Sequence, residues 1–266
     1  MAEDKKQISL NTDFNPQIIR EIIRRHWYFP FVYIAILTTA AFFYLRYTKP
    51  TYRSSAKIQI IEEDRVSDVL GKNDEALKDN QILDKELELL KSDVLFNKVV
   101  SRLNLETSIY AEGEILTQDL YRSAPFEVII YKLKDSSIAN KRIDLKLIGK
   151  DIHLLIEEKT IGKTKLNKHL NNKYFDLYFR GINEKYVPEL LTESNVYFTI
   201  NNKNTLAKEL KSYLNISIVD ENAKTIEISY EYYNPRLCYD MVNGLLDEYL
   251  QWERDSKQDK VNKTIK

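Results

Sequence analysis

Residues Asn215–Trp252 read NISIVDENAKTIEISYEYYNPRLCYDMVNGLLDEYLQW. The hydrophobic period changes inside this stretch. Asn215–Val219 and Thr225–Tyr232 alternate, with Ile226, Ile228, Tyr230 and Tyr232 on one face, the pattern of half-buried strands. Asn234-Pro235 then makes a helix start, with Asn as N-cap and Pro at the first helical position. Leu237, Met241, Leu245 and Tyr249 share one face of a helix that runs at least to Trp252. Strands followed by an amphipathic helix point to an α+β domain. The tail Glu253–Lys266 is charged and keeps helical propensity. It stops without a cap or breaker, as expected of a chain cut inside a longer helix.

Working outward, Thr205–Leu214 reads as a helix and the middle of the chain as β-rich. Pro125–Tyr131 is a strand. Arg142–Ile148 and Ile152–Glu157 alternate around Gly149–Asp151, which reads as a hairpin. Tyr174–Phe179 and Val196–Ile200 are further strands. The lysine-rich segment Lys159–Lys173 reads as a solvated loop or edge, with a nonspecific phosphate-attracting patch as the minority reading. Gln81–Leu103 is helical, with Leu83, Leu87, Leu90 and Val94 in one stripe continued by Phe96, Val99, Val100 and Leu103. Ser92 and Asp93 can cap a second helix and break the first. Arg65–Asn80, polar and containing Gly71, reads as a loop. In Ser54–Glu63, Ala56, Ile58 and Ile60 alternate with Lys57 and Gln59 as in a half-buried strand.

Farther upstream lies an uncharged run of 19 residues, Trp27–Leu45, WYFPFVYIAILTTAAFFYL. As a helix it spans about 28 Å, close to the hydrocarbon thickness of a bilayer. Trp27, Tyr28 and Tyr33 sit towards one end and Phe42, Phe43, Tyr44 and Tyr47 at the other, where aromatic rings favour the headgroup layer. Pro30 falls in the first turn, where its missing N–H costs little. A buried core helix rarely goes so long without a strongly polar residue. A cleaved signal is disfavoured by the long preceding segment and by FFYLRYTKP, which holds no A-x-A site. The run is therefore expected to anchor the chain, with everything after residue 50 on one side of the membrane. Charge does not orient it: Lys6, Arg20, Arg24 and Arg25 precede it, and Arg46, Lys49, Arg53, Lys57 and Arg65 follow. Before it, Pro16–Arg25 reads as a short amphipathic helix, with Ile18, Ile19, Ile22 and Ile23 opposite its charges.

The chemistry of the chain is sparse. Net charge is formally zero and no basic stripe suggests nucleic acid. One cysteine, Cys238, cannot form an internal disulfide, and its apolar helix face suits packing. Gly162-Lys163-Thr164 ends like a phosphate-binding loop, but Glu157 stands where that loop needs glycine. His26, His153 and His169 lack paired ligand spacing, and the many carboxylate pairs suit solvated positions. No catalytic, metal or cofactor site is expected, and the chain reads as a non-enzyme. The cluster Tyr230, Tyr232 and Tyr233 could suggest phosphorylation or sugar stacking, but strand alternation and helix-start packing explain it more simply.

The order of these segments resembles a family. TKPTYRSSAKIQI (Thr48–Ile60) follows the span; then come LDKELELLKSDVLFNKVVSRLNL (Leu83–Leu105), YRSAPFEV (Tyr121–Val128) and the Leu206–Tyr249 block. Pro50, Tyr52, Ser92, Pro125, Asn234, Pro235, Asn243 and Tyr249 are the positions carried over. Together they resemble the chain-length-determinant, or polysaccharide co-polymerase, family (Wzz-like domain). The aromatic-rich style is most similar to the amino-terminal part of Bacteroidetes-type exopolysaccharide tyrosine autokinases (Wzc-like).

The resemblance implies a cytoplasmic segment 1–25, a transmembrane helix 26–45, and a periplasmic α+β domain from 50–135 and 195–255. Within that domain, 136–194 would be a β-rich insertion, and 253–266 the start of a longer helix. It further implies a homo-oligomer in the bacterial inner membrane that controls the length or export of a surface polysaccharide. Partners would be membrane lipid, a polymerase or outer-membrane export protein, and the polysaccharide itself. Family members can continue into a long helical hairpin, a second span and a kinase. The competing reading is a single-span extracytoplasmic sensor or adaptor, which predicts a concave pocket and a stable monomer. An anchored enzyme would need polar groups converging in a cleft.

Overall fold

A computed structural model describes residues 20–21, 24–61 and 75–264, with the backbone alone for 75–82, 204 and 259–264. The chain divides into two units, residues 1–48 and 49–266. In the first, residues 20–21 and 24–26 are helical, the chain turns at Trp27–Tyr28 and helix continues as α1 (Phe29–Tyr47). Pro30 sits in its first turn, and the Val32 N–H donates to the Tyr28 carbonyl at 3.0 Å. The Thr39 hydroxyl donates to the Ala35 carbonyl at 2.8 Å, so it needs no partner from outside the helix. No side chain of α1 is buried, and Arg24–Tyr47 is long and apolar enough to cross a membrane. The isoleucines of the amphipathic segment, Ile18, Ile19, Ile22 and Ile23, lie outside the described residues.

The second unit holds two hydrophobic clusters. The first is built on an antiparallel sheet ordered β1-β12-β11, from β1 (Tyr52–Gln59), β11 (Leu214–Asp220) and β12 (Thr225–Tyr232). Chain ends far apart in sequence meet here: Ala56 pairs with Ile228 and Ile58 with Ile226. On the face expected to carry Ile226, Ile228, Tyr230 and Tyr232, the first three are wholly buried and Tyr232 is partly buried. This face is covered by α2 (Glu75–Leu90), α3 (Asp93–Arg102), α5 (Lys203–Lys211) and α6 (Pro235–Thr264). Leu237, Met241, Leu245 and Tyr249 of α6 all point into this core, joined by Cys238 and Val242. Gly244 lets α6 approach α3 closely: a Cβ there would lie 2.9 Å from Val99 Cγ1.

Three local expectations change. α2 begins at Glu75, so its first turns occupy part of the segment read as a loop. Ser92 does break the helix, its Oγ accepting from the Leu95 N–H at 3.2 Å. That break resets the helical phase. Val94 is 71% exposed and Leu95 takes the buried place, because a stripe extrapolated from α2 cannot cross a cap. The helix expected to reach Leu214 stops at Lys211, and Leu214 opens β11 opposite Tyr230.

The second cluster lies between two antiparallel sheets. One is ordered β3-β2-β10-β5-β6-β7, from β2 (Thr107–Glu112), β3 (Thr117–Asp119), β5 (Arg142–Ile148), β6 (Asp151–Ile156), β7 (Lys159–Thr164) and β10 (Asn195–Ile200). The other is β4-β9-β8, from β4 (Phe126–Leu133), β8 (His169–Asn171) and β9 (Phe175–Gly181). Inward residues alternate along both; Phe179 meets Phe198 edge-on at 6.3 Å. The short helix α4 (Val187–Glu193) adds Val187 and Leu191. The lysine-rich segment supplies the two edge strands, β7 and β8. Gly162-Lys163-Thr164 is therefore strand, with Gly162 paired to Leu154. Glu157 and Glu158 make the preceding turn with φ of 48° and 66°, an arrangement usually signalled by Asn-Gly.

Candidate functional site

Where the two clusters meet, the chain forms a partly open cleft of about 710 Å³. Its walls come from elements distant in sequence. Leu120 follows β3, Leu206 and Leu210 lie on α5, and Leu237 lies in the first turn of α6. Above this apolar floor stand Tyr110 of β2, Asp119 of β3 and Tyr232 of β12.

Each polar group is held by its own element. Asp119 ends β3, and its Oδ1 accepts the Tyr121 N–H at 2.9 Å, an Asx turn that releases the chain from the strand. Asn234 Nδ2 donates to the Asp119 carbonyl at 3.0 Å. Its Oδ1 accepts from the N–H groups of Arg236 and Leu237 at 2.9 and 3.2 Å. One buried amide thus caps α6 and fastens β3 to it. Tyr110 stacks on Tyr197 at 5.1 Å, and the Arg142 guanidinium lies 4.3 Å over the Tyr197 ring. Arg142 is itself fixed by Glu112 at 2.6 Å and Asp144 at 2.7 Å.

Burial raises the Asp119 carboxyl above the ordinary carboxylate range, with the Tyr121 N–H opposing part of the shift. Burial, then the neighbouring Asp119 charge, pushes the Tyr110 hydroxyl up to about 12. Burial also raises Tyr232 and Tyr121, so all three phenols are neutral donors at pH 7. Tyr121 donates to Asp240 Oδ2 at 2.9 Å. The arginines of the rim are occupied. Arg102 pairs with Asp247 at 3.0 Å and Glu248 at 3.5 Å, Arg122 with Asp240 at 3.1 Å, and Arg180 with Glu127. None of the ion pairs among the described residues involves Asp119.

The positions singled out in the sequence fall in several places. Asn234 and Pro235 start α6 and do not themselves line the cleft, which the helix reaches through Leu237. The Pro125 carbonyl accepts from Ile182 and Asn183, both at 2.9 Å, tying β4 to the chain beyond β9. Ser92 caps α3. Tyr249 donates to Glu86 Oε2 at 3.1 Å, and Asn243 to the Tyr239 carbonyl at 2.8 Å, both away from the cleft. Tyr52 pairs with Tyr232, and its carbonyl receives the Cys238 thiol at 3.3 Å. Pro50 is exposed, as are Trp27 and Tyr28 in the turn before α1 and Tyr33, Phe42, Phe43 and Tyr44 on α1. Tyr110 and Asp119, central to the cleft, carried no expectation, since β2 and the three-residue β3 are too short and too polar to show a clear period. The histidines stay apart: His169 lies between the rings of Tyr131 and Tyr178, at 5.0 and 5.1 Å. Among the described residues no three His, Cys, Asp or Glu side chains gather as metal ligands.

Residues 16–103 match the Wzz family model, described as chain length determinant protein. The match runs from before α1 through β1 and α2 to the end of α3, and leaves residues 104–266 outside it. No curated protein matches the chain.

Proposed function

We propose that this chain, which begins with a Wzz chain length determinant domain, is a membrane-anchored polysaccharide co-polymerase that works by homo-oligomeric assembly. The observation that carries the reading is the continuity of the family match, which passes through the apolar helix and into the first strand and helices of the α+β core. On this reading the residues before Trp27 are cytoplasmic and the unit 49–266 is periplasmic. Trp27, Tyr28, Pro30, Tyr33, Phe42, Phe43 and Tyr44 hold the anchor at the two interfaces. The protein sets how far a surface polymer grows, acting with a polymerase or an export channel rather than by chemistry of its own. The β-rich region is the elaboration that distinguishes this chain. An autokinase-type continuation belongs to the same reading and is tested by sequencing the gene beyond Lys266.

The decisive experiment pairs a gene deletion with the mass of the full-length protein in detergent. A changed polymer length distribution on deletion, with a defined oligomer by light scattering, supports the proposal. An unchanged distribution and a strict monomer refute it. The cleft specifically favours a second reading, a single-span sensor or adaptor with a ligand pocket. The same two measurements separate them, because that reading expects the monomer and an unaltered polymer.

A further inference from the structure

We infer that the cleft between the two hydrophobic clusters binds a neutral, hydroxyl-rich segment of saccharide. The inference deepens the chain-length reading and rests on it for the identity of the polymer. Its warrant is the chemistry of the cleft. At about 710 Å³ it falls within the range of about 300–1,000 Å³ typical of small-molecule sites. Its floor of leucines suits the C–H faces of a sugar ring. Its polar groups include two carboxylate acceptors, Asp119 and Glu209, beside two phenol hydroxyls, Tyr110 and Tyr232, that donate at neutral pH. Sugar hydroxyls both donate and accept, and so match that set.

Charge narrows the class. An acidic polymer needs free cations, yet the rim arginines are engaged by Asp247, Glu248, Asp240 and Glu127. A cationic ligand needs charged carboxylates held close together; of the two that line the cleft outside these ion pairs, burial disfavours the anion of Asp119 and Glu209 is exposed on α5. Preorganisation points the same way. Tyr110 is locked by Tyr197 and the Arg142 network, and Asp119 is fixed at its backbone by Asn234 and at its side chain by Tyr121. Holding these groups in place before binding lowers the entropy cost of capture. Because the walls belong to both clusters, an occupied cleft would also bridge them.

The test uses the full chain in detergent. The probes are oligosaccharides of one to four repeat units cut from the surface polysaccharide of the strain that carries the gene, titrated by calorimetry. Saturable binding that changes little with salt is expected. Asp119→Asn and Tyr110→Phe preserve volume and should each weaken it about ten-fold, the scale of one lost hydrogen bond to a charged or buried group. Leu206→Trp, which fills the floor, should abolish it. Thermal unfolding of each variant checks the fold, and the two volume-preserving variants carry the test if Leu206→Trp does not fold. Absence of binding by the wild-type chain overturns the inference. So does binding untouched by all folded variants, or binding that weakens steeply with salt and survives Asp119→Asn, which would mark an acidic polymer on surface cations. In cells, Asp119→Asn should alter polymer length. If deletion changes the length and the cleft variants do not, this inference falls while the chain-length reading stands. If deletion changes nothing, the chain-length reading falls and the titration alone decides the cleft.

Discussion

Replacing Asn234 by alanine removes three hydrogen bonds at one buried point. The N–H groups of Arg236 and Leu237 lose their acceptor, and the Asp119 carbonyl loses its donor. Loss of an N-cap costs about 1–2 kcal/mol. A buried carbonyl left without its partner adds about 1 kcal/mol. The expected total is about 2–3 kcal/mol. Asn234→Ser separates the parts, because a serine hydroxyl can still cap the helix but cannot reach across to β3. It should cost about 1 kcal/mol. Urea unfolding of the full chain in detergent, followed by far-UV circular dichroism, reads both. With a slope of about 2–3 kcal/mol per molar, alanine should lower the midpoint by about 1 M, and serine by less than half of that. An alanine variant within about 0.5 kcal/mol of wild type would refute the reasoning, since that is the range of inert surface changes. Serine as damaging as alanine would show that the tether to β3, rather than the cap, carries the energy.

Further outcomes follow from packing and charge. Gly244→Ala places a methyl 2.9 Å from Val99 and should destabilise by about 1–3 kcal/mol despite the helix preference of alanine, measured by the same unfolding curves. Leu95→Ala should cost about 2–4 kcal/mol while Val94→Ala stays within about 0.5, and the reverse order would show that the helical phase carries across Ser92. Asp119 has a raised folded-state pKa, so its contribution to stability is fully present below its unfolded value of 3.8 and lost as pH rises through the folded value. Asp119→Asn should therefore raise the melting temperature at pH 7 relative to wild type, and the gap should close as pH falls towards 4. A gap that is constant with pH would mean that burial of the charge is not the cause.

Much of the first cluster was legible in the chain. Ile226, Ile228 and Tyr230 alternate with polar neighbours. Leu237, Met241, Leu245 and Tyr249 recur every four residues, and both patterns are buried as read. The Asn234-Pro235 start and the Ser92 break were equally plain, since a cap is a local contact between a side chain and backbone groups two or three residues on. Elements without a local signal were missed. Glu157-Glu158 turns the chain with two non-glycine residues at positive φ, and β3 is held in place largely by its neighbours. The cleft was not legible at all. Tyr110, Asp119, Leu206 and Tyr232 gain a shared meaning only when four separate segments converge.

Local pattern along the chain was enough for the apolar helix, the α+β character and the periods of the principal strands and helices. These depend on contacts within a few residues and on which faces must leave water. Tertiary structure alone decided that β1 pairs with β12, in a register joining Ala56 to Ile228 across most of the chain. Any half-buried strand offers the same ladder of N–H and C=O groups, so partner and register are chosen by the side chains that fill a common core. The same physics decided the cleft. Two clusters, each closed by its own alternation, leave a seam between them, and the residues facing that seam are set by how the clusters pack.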